Sequence, residues 1–330
     1  MKEKILSLPN PFGSNLEIYK NIWGKSAEPL SIVSGLQGDH LNGMFLNCHL
    51  TQFLDSVVEG IDPNYTLTGQ VQIFPVVNAN AAQSGSRLWS LDGMDMDLAF
   101  PGNPAGEASE AIASAILQNT KDSYWGLILT SASPHYEDAT HVKIYKSNST
   151  TKKLCRDLQI KIARQQKKSS DQMVNLFHHW QEQETSSVMI SSGSPRTINS
   201  KQCEILFQGI LNFMKAEGIL KDHRDTKSGC KTKTLVYKPD DEISVQTTSA
   251  GMFLKEVQVG SQLKKGQKIG EVRDLYSGKR LEQLISPEDG LLITLRQYPI
   301  VYEKEPIAII LSTKDNWSKI GHAIRSIVKK

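Results

Sequence analysis

Gln37 and His40 stand three residues apart in the turn Gln37-Gly38-Asp39-His40, just after the apolar run Ser31-Ile32-Val33-Ser34. A turn of that form at the end of a buried strand aims two side chains at one ion. Catalytic zinc sites are usually built from His and carboxylate ligands, with one position left open for water. Here the first position is an amide, a poor ligand for zinc. The second, His40, can bind a metal but cannot hold it alone. The frame of a metal turn is present and its donor set is not.

Other side chains of the right types lie elsewhere. His135-Tyr136-Glu137-Asp138-Ala139-Thr140-His141 resembles a ligand cluster. Taken with His40 and Asp97, its residues His135, Glu137 and His141 offer a relocated metal site on loops near the C-terminal edge of a sheet, where α/β folds bind ligands. Short histidine motifs are commonly ordinary polar sequence, so the heptapeptide is read first as a solvated loop. His178-His179, in a polar helical stretch, reads as surface, and His49, behind an apolar helix face, as a structural histidine. The four cysteines, Cys48, Cys155, Cys203 and Cys230, are far apart and form no Cys-x-x-Cys pair. Neither a zinc knuckle nor a disulfide framework is expected, and a reducing cytoplasm is the simplest setting.

The elements that must position these groups follow from length and patterning. A chain of 330 residues can bury a real core and divides most naturally into two domains. A hydrophobic fraction of 39% fits a soluble globular protein. No apolar run reaches the roughly 18 residues needed to span a bilayer, and the broken apolar stretch after Met1-Lys2 is not a signal peptide. The formal charge of +3 is near balance and no segment is strongly basic, so neither nucleic acid nor membrane is implied as a partner.

Residues 1–27 read as an extended lead-in, with Pro9 and Pro11 opposing helix. Met44 to Val58 has the broad apolar face of a helix: Met44, Leu46, Cys48, Leu50, Phe53, Leu54 and Val57. Val71 to Val77 is a buried-strand run, followed by a loop from Asn78 to Pro104. Glu107 to Asn119 is a small-residue helix, and Tyr124 to Leu129 and Val142 to Tyr145 are strands. Lys152 to Glu184 reads as helical, Ser187 to Ile190 as a short strand and Cys203 to Leu220 as a helix. Strands alternating with helices predict a mostly parallel, helix-covered sheet. This α/β domain spans 1–221.

Residues 222–233 are charged and lack apolar runs, so they read as a linker. From 234 to 330, short strands separated by glycines predict a smaller all-β domain: Leu235–Tyr237, Gly251–Val257, Gln267–Val272, Gly290–Leu295 and Ile307–Leu311. The stretch from Ser249 to Gly270 resembles a barrel-sandwich module of the biotinyl/lipoyl type without its lysine turn, so no attached cofactor is expected. A terminal helix, Trp317 to Val328, closes the chain.

The order of these elements and four loop motifs resemble the succinylglutamate desuccinylase/aspartoacylase family, of zinc-carboxypeptidase fold, from about Leu30 to Leu311. Where members carry His-Gly-Asp-Glu-x-x-Gly, this chain has Gln37-Gly38-Asp39-His40-Leu41-Asn42-Gly43. Where they carry Asn-Pro-x-Ala, then Arg, then Asp-Leu-Asn-Arg-x-Phe-Pro-Gly, it has Asn78-Ala79-Asn80-Ala81, Arg87, and Asp95-Met96-Asp97-Leu98-Ala99-Phe100-Pro101-Gly102. The Phe-Pro-Gly ending is the strongest signature, and it speaks for fold rather than reaction. The third metal ligand, a His ending an Asp-Leu-His strand, falls on Ser131. The catalytic Glu of a Val-Glu-Leu-Gly-like strand end is placed on Asn199.

In the family, the resemblance implies three ligands holding zinc, an Arg polarising the scissile carbonyl and a Glu activating water. Here Gln37, His40 and Ser131 occupy the ligand positions, Leu98 the polarising one and Asn199 that of the base. General-base and oxyanion terms are each worth about two or more powers of ten in rate. Their loss predicts a catalytically silent relative, a binding or regulatory subunit paired with an active paralogue or with itself, and no zinc. Arg87 and Asp97 are the substrate-side positions. Arg87 suits a small carboxylate ligand and equally an ion pair with Asp92 or Asp95 that shapes the loop. The alternative is a divergent zinc-dependent amidohydrolase (deacylase) of N-acyl amino acids or a related small carboxylate, which needs His40 and one or more of Asp97, His135 and His141 to rebuild the metal site.

Overall fold

Short apolar runs between glycine-marked turns become the strands of one large sheet. The computed structural model describes residues 1–9, 13–145, 147–167, 174–224 and 233–313. The chain opens with β1 (Lys2–Leu8), β2 (Leu16–Trp23), β3 (Leu30–Ser34), α1 (Leu41–Val58), β4 (Tyr65–Leu67) and β5 (Val71–Phe74). It continues with α2 (Ala79–Ser84), α3 (Ala108–Thr120), β6 (Trp125–Thr130), β7 (Tyr136–Ile144), α4 (Ser149–Asp157) and β8 (Ile162–Gln165). Then come α5 (Leu176–Glu182), β9 (Ser186–Gly193), α6 (Ser200–Ala216) and β10 (Leu220–Asp222). Apart from a 3-10 turn at Pro239–Asp241, the remaining described elements are strands: β11 (Leu235–Tyr237), β12 (Glu242–Gln246), β13 (Gly251–Lys255), β14 (Gln262–Leu263) and β15 (Lys268–Arg273). The last are β16 (Arg280–Ile285), β17 (Gly290–Arg296), β18 (Ile300–Val301) and β19 (Pro306–Ser312).

The centre of the large sheet, in order β5, β3, β6, β9, is parallel. Its strands are buried on both faces, as parallel strands under helices must be. Ile32, Leu127 and Ile190 pack with Leu46, Leu50 and Leu54 of α1 and Ile210 and Met214 of α6. Val33 and Ile128 point the other way, onto Ile112 and Ile116 of α3 and Phe177 and Trp180 of α5. Leu46, Leu50 and Leu54 recur every four residues and are at most 1% exposed. Burial of each contributes about 1.5–3 kcal/mol. The expected helix-covered α/β architecture is present, with antiparallel flanks.

The lead-in is a hairpin: β1 pairs with β2, and β2 joins β5. Two other expectations change. The segment 152–184, read as helical, splits into the end of α4, the strand β8 and the helix α5. β8 forms because β7 and β11 flank it in parallel, a tertiary pairing that overrides its polar sequence. The loop expected from Asn78 to Pro104 contains α2, whose first turn Asn78 caps by accepting from the Ala81 N–H, and a 3-10 turn at Met96–Leu98.

The β-rich C-terminal part does not stand apart from the sheet. β17 pairs with β7, and β19 and β12 follow it outward. β13, β15, β16 and β18 form a separate four-stranded sheet. Phe253 and Ile269 of that sheet share a core with Leu292 and Ile310 of the large one, giving a sandwich. β11, read as the first strand of the C-terminal domain, pairs in parallel with β8. Most of the linker and the whole Trp317–Val328 helix lie outside the described residues. Among the described residues no helix is long and apolar enough to cross a membrane, and Cys48, Cys155 and Cys203 are free thiols.

Candidate functional site

The metal-turn frame leaves β3 through Gly35, whose φ of +70° favours glycine. A Cβ on Gly38 would lie 2.3 Å from the Ala81 carbonyl carbon, so only glycine lets the turn pack on α2. The Gly38 N–H donates to the Arg87 carbonyl, 3.2 Å, and the Asn78 N–H to Gly35, 2.7 Å. These bonds bring residues far apart in sequence to one place. They line a cavity of about 200 Å³ at the ends of β3 and β6, with Gln37, His40, Arg87, Asp97 and Ser131 in its wall. Five positions singled out in the sequence thus converge.

Their chemistry is that of a closed polar network. The Gln37 amide donates to Asp95 Oδ1, 2.9 Å, and Arg87 Nη2 donates to Asp95 Oδ2, 3.2 Å. The other Arg87 arm, Nη1, lies 3.1 Å from His40 Nε2. A guanidinium only donates, so His40 Nε2 accepts and Nδ1 carries the proton. Burial, reinforced by Arg87, pushes His40 down to about 3, so the ring is neutral. Burial raises the Asp39 carboxyl above its ordinary value. Asp39 Oδ1, His40 Nδ1 and Asp97 Oδ1 are buried without hydrogen-bond partners among the described residues. Burial, then the neighbouring Asp95 charge, lifts the Asp97 carboxyl to about 7.

The groups at the three ligand positions do not fit a zinc ion. The Asp95 carboxylate requires the Gln37 amide to present its NH2 there, and the guanidinium sits against the one imidazole nitrogen with a free lone pair. Ser131 contributes a neutral hydroxyl, a weak donor beside thiolate, imidazole or carboxylate. Among the described residues no group of three or more His, Cys, Asp or Glu side chains is placed to hold a metal.

Two catalytic positions change on inspection. Leu98 is 45% exposed and absent from the cavity wall. Asn199 does not end a strand. It is the N-cap of α6, accepting from the Gln202 N–H, while its own N–H donates to Asn42 Oδ1, 2.8 Å. The nearest strand, β9, closes at Gly193, six residues before Asn199. Ser191 is fully buried and donates to Asp138 Oδ2, 2.6 Å.

The relocated cluster does not assemble either. Residues 136–141 are strand, not solvated loop. His141 is fully buried, with Nδ1 2.9 Å from the Ala139 carbonyl and Nε2 3.4 Å from Arg164 Nη1, and burial pushes its pKa down to about 3. The His135 ring packs on Tyr298, and Glu137 accepts from Gln297. None of these three residues lines the cavity with His40 and Asp97. His178 is buried rather than on the surface, 3.1 Å from Glu182. His49 is exposed on α1, its ring against Phe45.

Sequence reading missed the back wall. Lys143 of β7, Tyr145 just beyond its end, Gln166, Asn175 and Phe177 complete the cavity. Lys143 faces Met189 of β9 across the pair, and both reach the cavity. The Tyr145 ring stacks on Phe177, centroids 4.7 Å apart, and Asn175 Nδ2 donates to Tyr145 Oη, 3.2 Å. Burial, with Arg164 and Arg87 against Asp138 and Asp97, holds the Lys143 amine below the usual lysine range. The alternation of Lys143 with buried Val142 and Ile144 was the available signal.

No protein-family model and no curated protein matches the sequence. Solved structures do. A succinylglutamate desuccinylase/aspartoacylase from Rhodobacter sphaeroides is 18% identical, with a TM-score of 0.75 over 94% of this chain and 95% of that one. The product-bound ectoine utilization protein EutE (DoeB) from Ruegeria pomeroyi is 18% identical, with a TM-score of 0.76 over 94% of each chain. An aspartoacylase family protein from Mesorhizobium loti is 20% identical, with a TM-score of 0.75 over 94% and 93%. With a backbone that follows theirs over nearly its whole length, this chain has the fold of the succinylglutamate desuccinylase/aspartoacylase family.

Proposed function

We propose that the chain binds a small carboxylate at this cavity and does not carry out metal-dependent amide hydrolysis. One observation carries the reading: the Arg87 guanidinium lies against His40 Nε2, so a fixed side-chain cation faces the nitrogen that a metal ligand would offer. Arg87 lines the wall with the neutral His40 and with Asp97, which is uncharged below about pH 7. The cavity thus favours an anion, and a guanidinium suits a carboxylate.

Thermal shift and calorimetry with acetate, propionate and succinate test this. Saturable binding that Arg87→Gln weakens is expected, and absence of binding by all three refutes it. Metal content after purification without a His-tag tests the alternative deacylase. About one equivalent of zinc, lost in His40→Ala, would favour that enzyme.

The protein's role on this reading is that of a binding or regulatory subunit, joined to an active paralogue or to a second copy of itself. An intact fold around an altered site motivates the idea. Purification from the native host that returns this chain alone and monomeric would count against it.

A further inference from the structure

Lys143 has no role in the network that ties Gln37, His40, Arg87 and Asp95 together. It lines the same cavity from the opposite strand, and among the described residues its amine has neither a hydrogen-bond nor an ion-pair partner. A lysine in a cavity is either a cation awaiting an anion or an amine available to react. The groups that bear on it are Asp138 of its own strand, Arg164 of β8, and Arg87 and Asp97 across the cavity. Burial and the two guanidiniums favour the uncharged amine, the nucleophilic form. Asp97 carries a buried oxygen with no partner and is uncharged below about pH 7. An amine, a carboxylic acid and a carboxylate anchor thus share one enclosure.

We propose that the Lys143 amine captures a small 2-oxo acid as a reversible imine, with the ligand's carboxylate against Arg87 and Asp97 supplying the proton. This rests on the carboxylate-binding reading and adds covalent capture to it. The Lys143 nitrogen forms a bond to the ligand's carbonyl carbon, and a nitrogen proton passes to the carbonyl oxygen. The resulting hydroxyl leaves as water with the Asp97 proton, which leaves a protonated imine and the Asp97 carboxylate. Nothing is oxidised or reduced, and water reverses each step. At roughly 30 Å³ per water-sized group, a cavity of about 200 Å³ holds about seven non-hydrogen atoms. Glyoxylate and pyruvate fit.

The test incubates the full chain with glyoxylate or pyruvate, adds borohydride to reduce any imine, and locates the adduct by peptide mass spectrometry. One dominant adduct on the Lys143 peptide is expected, several-fold above every other lysine and suppressed by excess propionate. It should vanish in Lys143→Arg, with the melting temperature of that variant recorded alongside. Adducts spread over exposed lysines, or a Lys143 adduct indifferent to propionate, would overturn the proposal. Propionate thermal shift in the same preparation separates the two ideas. A shift without a Lys143 adduct refutes the imine and leaves the binding site standing, whereas neither signal refutes both.

Discussion

Asp97→Asn should stabilise the protein, and more so as pH rises. The Asp97 carboxyl sits at about 7 in the folded chain against an ordinary 3.8, mainly because burial disfavours its charge and Asp95 adds a second negative charge nearby. Between those values the folded state keeps a proton that the unfolded state has released, so stability falls as pH climbs through this window. The difference of about 3 units, at 1.36 kcal/mol each, sets a ceiling of about 4 kcal/mol of destabilisation above pH 7. An amide of nearly the same shape carries no such penalty. At pH 4, where the folded acid is neutral, the two proteins should differ little.

Urea unfolding of both at pH 4 and pH 8.5 measures this, because every other titrating group is common to the pair and cancels in the difference. The variant is expected to gain about 2–4 kcal/mol at the higher pH. A wild-type-to-variant difference that stays constant between the two pH values would refute the reasoning. It would mean that water or a counter-charge solvates Asp97 as an ordinary carboxylate.

Arg87→Gln removes a charge-assisted hydrogen bond worth about 1.5–3 kcal/mol, so calorimetry should show carboxylate binding weakened about 10- to 100-fold. Gly126→Ala puts a Cβ 2.4 Å from Trp180 Cε3, against a fully buried indole whose Nε1 donates to Thr120 Oγ1, 2.9 Å. Overpacking of this kind costs about 1–3 kcal/mol, readable as a lower urea midpoint. Asn42→Ala strips the acceptor from the Asn199 N–H and the donor to the Ser192 and Ser194 carbonyls. Orphaned buried groups cost about 1–3 kcal/mol each, so the melting temperature should fall by several degrees.

The sequence was most legible where side-chain period and burial coincide. The α1 face and the β3, β5 and β6 runs are apolar because helices cover the parallel centre on both sides, and a single sequence carries that signal. It was least legible where pairing partners decide the structure. Ile162-Ala163-Arg164-Gln165 has no strand period, yet β7 and β11 hold it, and Arg164 is tied to Glu242 by two bonds of 2.8 and 2.7 Å. Within the site, Gln37, His40 and Arg87 could be found because tight turns fix their neighbours. Ser131 follows a strand end whose register the sequence conveys. Asn199 was expected at a strand end because Ser194 to Ser200 resembles a strand exit in composition, whereas the strand closes at Gly193 and Asn199 caps α6. Lys143 was signalled only by its alternation with two apolar neighbours, and the segment as a whole reads as core.

The substitutions around the turn gain meaning when taken together. A metal at Gln37, His40 and Ser131 would bring positive charge and the power to acidify bound water. The Arg87 guanidinium beside His40 supplies the first and lacks the second, because it offers no coordination position to a water molecule. On the binding reading, the cavity attracts an anion and does not activate water. The neutral state of His40 and the raised pKa of Asp97 belong to the same balance. With Arg87 already committed to Asp95, an ionised Asp97 would oppose the ligand's charge and a protonated His40 would sit against the guanidinium. On the binding reading, occupancy should then be strongest below pH 7, where Asp97 is uncharged, and should weaken as that carboxyl ionises.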